Sequence, residues 1–379
     1  MRVAIVTESF LPQVNGVSNT VRHVVDELVD AHHEVLVVAP GPGPAHHEGV
    51  PVVRVRSVGM PGYRSFPIGL PDTAVRHSLD RFGPDLVHLA SPIALGVVGL
   101  RAARRLGVPT VAVYQTDIAA FAKQYSARQY GHRADLVVDS VVDRWVGRLH
   151  RRVDRTLVPS TASLDQLAAL GVRDLHLWRR GIALDLFDPS RRSAALHQQW
   201  TDGSRLAVGY VGRLAHEKQV HRLAVVANLP GVQLVVIGDG PAREELQRLL
   251  PGAVFTGMLR DAELAAAYAS LDVFVHTGDS ETFCQTVQEA QASGVPVVAP
   301  AAGGPLDLVD PGRTGLLFDP ADLGSLRGCV AKLLVAPGLR RDVAERARAA
   351  VAGRTWAAVV AELTDVHYRA VLDGAVVAA

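Results

Sequence analysis

The sequence predicts an α/β protein built as two doubly wound parallel-sheet domains. Three observations carry that expectation. Short apolar runs of strand length alternate with amphipathic helical stretches along the chain, the pattern of helices covering a parallel sheet. The alternation pauses at a polar stretch, residues 190–204, and then starts again. Finally, 379 residues exceed one ordinary core, and 34 Gly and 22 Pro in a 48% hydrophobic chain suit buried strands joined by many turns.

The first strand is Val3-Ala4-Ile5-Val6, and residues 18–29 read as an amphipathic helix. Between them runs a loop that contains Asn15-Gly16-Val17. A strand, a glycine-containing loop and a helix aim backbone N–H groups and a positive helix end at an anion, although a lone Asn-Gly is often a plain turn. Residues 34–40 and 52–55 are further strands, as is Pro84-Asp85-Leu86-Val87-His88-Leu89, which leads into a helix over 93–106. Thr110-Val111-Ala112-Val113-Tyr114 follows and ends in Gln115-Thr116-Asp117. Polar residues just past the carboxyl end of a parallel strand face the crevice where such sheets bind ligands; Asp117 as the N-cap of the next segment is the competing reading. Residues 155–160 form a strand, 163–170 a helix and 175–180 another strand. The domain boundary is expected here, with residues 1–185 as the first domain and 186–355 as the second.

From Arg101 to Arg155 the chain holds 11 Arg or Lys against 5 Asp, a local balance of +6. Apolar residues recur there at helical spacing beside Arg144, Arg148, Arg151 and Arg152. A solvated helix face packed on the core accounts for this; peripheral attachment to an anionic membrane leaflet is the sharper alternative.

The second half repeats the alternation. Leu206-Ala207-Val208-Gly209-Tyr210-Val211 is a strand, followed by a loop carrying Gly212-Arg213-Leu214 and Glu217-Lys218. Residues 234–237 lead into Gly238-Asp239-Gly240-Pro241, and 254–258 into a helix over 261–270. The run 271–276 reads as a buried strand, 286–292 as a helix closed by Ser293-Gly294-Val295-Pro296, and 297–299 and 315–318 as strands. Glu281 therefore stands in a strand-to-helix loop and Glu289 about two turns into the helix, a separation on the order of 12 Å. That is too far for a shared proton but suits a long ligand gripped at two points. A solvated helix residue at Glu289 and a first-turn acid at Glu281, favoured by the helix dipole, would look the same. Arg213 and Lys218, about one turn apart, offer two cations of the kind that bind a diphosphate. Parallel topology would set them on one sheet rim with Glu281, Glu289 and Gly303-Gly304. Two cations and two distant carboxylates fit a nucleotide sugar.

These residues resemble the retaining glycosyltransferases of family four. The likeness rests on Glu281 and Glu289 at that spacing, Gly212-Arg213-Leu214 with Glu217-Lys218, Gly238-Asp239-Gly240-Pro241, Gly294-Val295-Pro296, Gly303-Gly304-Pro305, the Pro12 to Val17 loop and Pro84-Asp85-Leu86-Val87-His88. It covers essentially the whole chain. It implies a GT-B fold, two Rossmann-like domains facing a central cleft, with the last helix (356–379) crossing back to the first domain. It implies that Arg213 and Lys218 hold the donor diphosphate, that Glu281 faces the transferred sugar and Glu289 the ribose. The backbone at Thr282, Phe283 and Cys284 would approach sugar and phosphate, Asn15, Gly16 and Val17 the diphosphate, and Met258 the base. Gln115-Thr116-Asp117 departs from the His-Thr-Asp or His-Thr-His of many relatives. Gln115 can hydrogen-bond a sugar hydroxyl but cannot carry a proton as His does. Asp117 is then the carboxylate that orients acceptor or sugar. The stretch Tyr114-Gln115-Thr116-Asp117-Ile118-Ala119-Ala120-Phe121-Ala122 resembles actinobacterial GDP-mannose-dependent α-mannosyltransferases acting on glycolipids. The expected activity is retaining transfer of a hexose, mannose from GDP-mannose, to a glycolipid or related acceptor. The donor is a substrate, and no separate cofactor is expected.

Other classes fare less well. A net charge of +1 argues against a polyelectrolyte partner such as nucleic acid. Cys284 and Cys329 lack metal-like spacing, and His32-His33 and His46-His47 are paired neighbours rather than ligand sets, so no metal site is expected. An acid at Glu8 interrupts any signal-peptide core, and no apolar run approaches the roughly 20 residues of a membrane span. A cytoplasmic protein, peripheral at most on the inner face of the plasma membrane, is expected. UDP-sugar transfer, a nucleotide-sugar epimerase or hydrolase, and a sugar-binding module remain as rivals. A dinucleotide oxidoreductase is disfavoured because the first strand is not followed by GxGxxG.

Overall fold

Alternate residues of a strand point to opposite faces, so a strand buried on both faces must be apolar at every position. The middle of the strand Arg2–Thr7 meets that demand: Val3 and Ile5 enter one core cluster, Ala4 and Val6 another. The structure, a computed structural model, describes all residues other than 14, 61–62, 71, 91, 117–131 and 379, and describes only the backbone of 60, 63–67, 132–140 and 376–378. Asp117 and residues 118–122 lie outside the described residues. The chain divides into two units, Met1–Arg180 with Trp356–Ala379, and Gly181–Thr355.

In the first unit the strands are β1 (Arg2–Thr7), β2 (Glu34–Pro40), β3 (His46–His47), β4 (Val50–Val55), β5 (Ser57–Met60), β6 (Tyr63–Gly69), β7 (Leu86–Ala90), β8 (Thr110–Val113), β9 (Arg155–Val158) and β10 (Leu175–Leu177). Eight form a sheet in the order β10-β9-β8-β7-β1-β2-β4-β3, parallel throughout except for the short β3 beside β4. β5 and β6 make a separate antiparallel hairpin that the apolar pattern did not announce. The strand order reverses between β1 and β7, which register Val3 against Leu86. The helix Gly16–Asp30 buries Val21, Val24, Val25 and Leu28, an i, i+3, i+4, i+7 stripe. The C-terminal helices pack on this unit. Trp356 stacks on His23 at 4.5 Å, Trp178 Nε1 donates to the Val359 carbonyl at 3.0 Å, and Tyr368 shares a 2.6 Å hydrogen bond with buried His88.

The second unit holds β11 (Leu206–Val211), β12 (Val232–Ile237), β13 (Val254–Gly257), β14 (Val273–Val275), β15 (Val297–Pro300) and β16 (Leu316–Phe318). They form one parallel sheet in the order β13-β12-β11-β14-β15-β16. This is the dinucleotide-fold order, with its switch point between β11 and β14, where such sheets bind ligands at the carboxyl ends. The polar stretch 190–204 is more than a linker. Ser193 caps a helix, Ala194–Thr201, that buries Trp200 in this unit's core. Its composition misleads because one large aromatic anchors an otherwise polar segment.

Candidate functional site

The loops that leave β11 and β14 meet at the switch point of the second unit. Lys218, from the first, places Nζ 2.6 Å from Glu281 Oε1 on the second. His276, directly after β14, brings Nε2 to 3.3 Å from the same oxygen. The Lys218 side chain is 27% exposed, that of Glu281 15% and that of His276 only 3%. Burial alone would raise the Glu281 pKa, but Lys218 and His276 overcome it and hold the carboxyl well below its ordinary value. Lys218 is pushed up in return, because the attraction of Glu281 exceeds its own burial cost. Burial would lower His276, yet Cys284 and Glu281 raise it to about 10. Arg213, five residues before Lys218, pairs with Glu217.

A second set of contacts keeps the two loops in register. Arg222 donates from Nη1 to the Thr277 carbonyl at 2.8 Å and from Nη2 to Asp279 Oδ2 at 2.9 Å. Gln219 donates to the other Asp279 oxygen, and Thr277 Oγ1 donates to the Lys218 carbonyl at 2.7 Å. Backbone also packs on backbone. A Cβ on Gly304 would lie 2.3 Å from the Phe283 carbonyl oxygen, and the Gly304 N–H donates to the Glu281 carbonyl at 2.7 Å. Only glycine allows that approach. Sequence reading placed Gly303-Gly304 on this rim but missed Arg222, Asp279 and His276. Their one signal was polarity close to the chosen residues: Gln219 and Arg222 just after Lys218, and Asp279 two residues before Glu281.

The helix that follows begins at Gln285, so Glu289 lies one turn in rather than two. Its Oε2 accepts from Tyr268 Oη at 2.8 Å, and burial, only partly offset by that bond, raises its pKa to about 7. Cys284 precedes the helix at φ +78°, a left-handed conformation that costs a non-glycine residue of order 1–3 kcal/mol. It is buried, as is Phe283. Thr282 is half-buried on the same turn. Met258, just past β13, is 55% exposed, an apolar surface at the strand end.

The first unit carries its own polar group at the carboxyl end of its sheet. Asn15 caps the helix Gly16–Asp30, its Oδ1 accepting from Val17 N at 3.0 Å and Ser18 N at 2.9 Å. Asn15 Nδ2 in turn donates to Ser9 Oγ at 2.7 Å, so the cap takes up both its own amide and two N–H groups of the first turn. Gln115 is buried and its Oε1 accepts from Arg180 Nη2 at 3.4 Å, while Arg180 Nη1 would stand 2.9 Å from a Cβ on Gly16. Arg180 was missed by sequence reading because it lies about 65 residues from Gln115. At this unit's switch point Glu8, 1% exposed, turns Oε1 onto the N–H groups of Ile93, Leu95 and Gly96, so a carboxyl group already occupies the positive end of the helix Ala94–Leu106. Burial raises the Glu8 pKa to about 7 against those hydrogen bonds. Among the described residues no group of three His, Cys, Asp or Glu is arranged to hold a metal ion.

Residues 14–186 match the sequence pattern of Glycosyltransferase Family 4, and 195–350 match Glycosyl transferases group 1. Over 378 residues the chain is 52% identical to the GDP-mannose-dependent alpha-mannosyltransferase of Mycolicibacterium smegmatis, covering 98% of both chains. The chain belongs to glycosyltransferase family 4. A Mycobacterium tuberculosis protein of the same description is 49% identical over 98% of this chain and 97% of its own. Among solved structures, this family 4 glycosyltransferase is similar in fold to Anabaena HepE in complex with UDP-glucose (TM-score 0.78, 21% identity, 97% of this chain and 100% of that one). It is equally similar to sucrose-phosphate synthase from Thermosynechococcus elongatus (TM-score 0.79, 22% identity, 98% and 99%). The GT-B fold expected from the sequence is the fold observed.

Proposed function

We propose that this glycosyltransferase moves mannose from GDP-mannose, with retention, to a glycolipid acceptor. The observation that carries the chemistry is the cluster of Lys218, Glu281 and His276, with Arg213 nearby in sequence, at the switch point of the second sheet. The choice of mannose and guanosine rests on full-length likeness to proteins described as GDP-mannose-dependent. The glycolipid acceptor is supported by a 28% identical phosphatidylinositol dimannoside mannosyltransferase of Mycobacterium tuberculosis.

In this reading Arg213 and Lys218 bind the donor diphosphate. Breaking the bond between the sugar and its phosphate leaves negative charge on the departing GDP. Fixed cations that meet this charge as it grows stabilise the transition state more than the bound substrate. The acceptor hydroxyl attacks from the leaving-group face, and a donor phosphate oxygen takes its proton. Glu281 accepts a hydrogen bond from the transferred sugar through Oε2, since both cations act on Oε1. Glu289 binds ribose, Met258 borders the base, and the backbone at Thr282, Phe283 and Cys284 approaches sugar and phosphate. On the first unit, Asn15, Gly16, Val17 and Gln115 are assigned to the donor and Asp117 to orienting the acceptor. The purified enzyme, given GDP-mannose, UDP-glucose and other donors with a membrane lipid extract, should form labelled mannolipid from GDP-mannose alone. Donor turnover without acceptor would favour an epimerase or hydrolase, and a product formed only from a UDP-sugar would reassign the base.

The acceptor reading calls for reach to a membrane surface. No helix of the described residues is long and apolar enough to cross one. The helix His132–His150 buries Val146 and Leu149 and exposes Val141, Arg144 and Arg148 on another face. Arg152, just beyond, is also exposed. We assign this face to anionic lipid, worth about 1 kcal/mol per basic residue near the surface. Co-sedimentation with vesicles should rise with their anionic lipid content and fall with salt; binding that ignores lipid charge rules the face out.

A further inference from the structure

We infer that His276 is a positioning residue for Glu281: it stays beside the carboxylate as a fixed cation when Lys218 leaves to meet the donor diphosphate. The inference rests on the donor-site reading given above and concerns what that site does as it fills.

The starting point is one carboxylate oxygen with two cations of different mobility. Lys218 reaches Glu281 Oε1 at 2.6 Å on a flexible four-carbon stem, and about a quarter of its side chain meets solvent (27% exposed). His276 has no such freedom. Its ring is buried, lies nearly parallel to the ring of Tyr210 (centroids 6.5 Å apart, 17° between planes) and is tied by its own backbone N–H to the Val298 carbonyl at 2.9 Å. Gly278 closes the remaining side. A Cβ there would lie 3.3 Å from His276 Nε2 and 3.4 Å from both Glu281 Oε1 and the Lys218 Cα.

A diphosphate carries more charge than one carboxylate and competes for the mobile cation. If Lys218 were the sole partner of Glu281, donor binding would strip a mostly buried carboxylate of its counter-ion. Such a group takes up a proton rather than remain charged. A protonated Glu281 would no longer be a strong acceptor for a sugar hydroxyl. His276 removes that conflict, because it cannot follow Lys218. The groups facing His276 are the Glu281 carboxylate, the Cys284 thiol, the Tyr210 ring and, across Glu281, Lys218. Cys284 and Glu281 both raise its pKa, against burial, and the Glu281 carboxylate at 3.3 Å is the charge that favours an imidazolium there. Lys218 is then the exchangeable partner and His276 the resident one.

The test compares the wild type with His276→Gln, which keeps a hydrogen-bonding side chain and loses the charge. With GDP-mannose and lipid extract, the variant should lose at least about tenfold in kcat near pH 6.5. It should recover as pH rises toward 8.5, the acid limb of its profile moving up by at least one unit, while the KM for donor stays within about threefold. A merely structural role would lower the rate equally at every pH. A variant profile parallel to the wild type therefore overturns the inference and leaves the donor reading standing; absence of mannosyl transfer by the wild type overturns both. Should His276→Gln fail to fold, NMR of histidine-labelled protein decides. The His276 ring should remain protonated to about pH 9 in the wild type and titrate near or below its ordinary value, about 6.5, in Glu281→Gln. A His276 ring neutral at pH 7 in the wild type overturns the inference.

Discussion

Lys218→Ala should lower mannosyl turnover by more than about tenfold, with Arg213→Ala close behind. Removal of Lys218 acts twice. It takes away a cation assigned to the leaving diphosphate, whose charge exists in full only after the sugar–phosphate bond has stretched, so kcat falls rather than KM alone. It also leaves Glu281 with His276 as its remaining cation at 3.3 Å, which weakens the support for its ionised form. Arg213→Ala removes the other assigned cation, whose recorded salt bridge is to Glu217. Steady-state kinetics with GDP-mannose read both, and calorimetry with GDP reads ground-state binding separately. Near-wild-type transfer by both variants would remove the diphosphate assignment.

Glu281→Gln is expected to abolish most transfer while leaving GDP affinity within about threefold, because Glu281 is assigned to the sugar and not to the nucleotide. Equal losses in both would reassign it to nucleotide binding. The same substitution has a stability signature. The Glu281 pKa lies below its ordinary 4.5, so its contribution is complete above that pH and is lost as pH falls through the lower folded value. The His276 pKa is raised from 6.5 to about 10, so its contribution is complete below 6.5 and is lost as pH rises toward 10. The ion cluster is therefore strongest between about pH 4.5 and 6.5. Glu281→Gln should flatten both slopes and cost about 1.5–3 kcal/mol near pH 6, the range for a hydrogen bond to a charged group. Solvent reaches Lys218, which keeps the cost below that of a fully buried pair. Thermal melts from pH 4 to 9 measure this. An unchanged pH profile would mean that the cluster contributes nothing to the fold.

The fold was largely legible because strands buried on both faces cannot hide their composition. Val3-Ala4-Ile5-Val6 and Leu234-Val235-Val236-Ile237 are apolar throughout, and both lie in interior strands of their sheets. Arg213, Lys218 and Glu281 stood out for the opposite reason, as charges in the loops that follow such runs. Other features left weaker traces. The β5–β6 hairpin lacks a strong alternating pattern, and the polar stretch 190–204 holds a helix anchored by Trp200. Glu289 lies one turn into its helix rather than two, since that helix starts at Gln285, directly after the left-handed Cys284. His276 read as the last residue of a strand, since nothing local says which way its ring points.

The sequence by itself determined the α/β class, the two sets of alternating elements and which loops carry charge, because burial and turn chemistry act locally and leave a mark at each residue. Only the tertiary structure decided which charges meet. Glu281 could have paired with any of several cations. Strand order puts β11 beside β14, and that one adjacency brings Lys218, 63 residues away, to one side of its carboxylate while His276 flanks it from its own strand end. Pairing at that separation is set by sheet topology, which no stretch of sequence encodes alone.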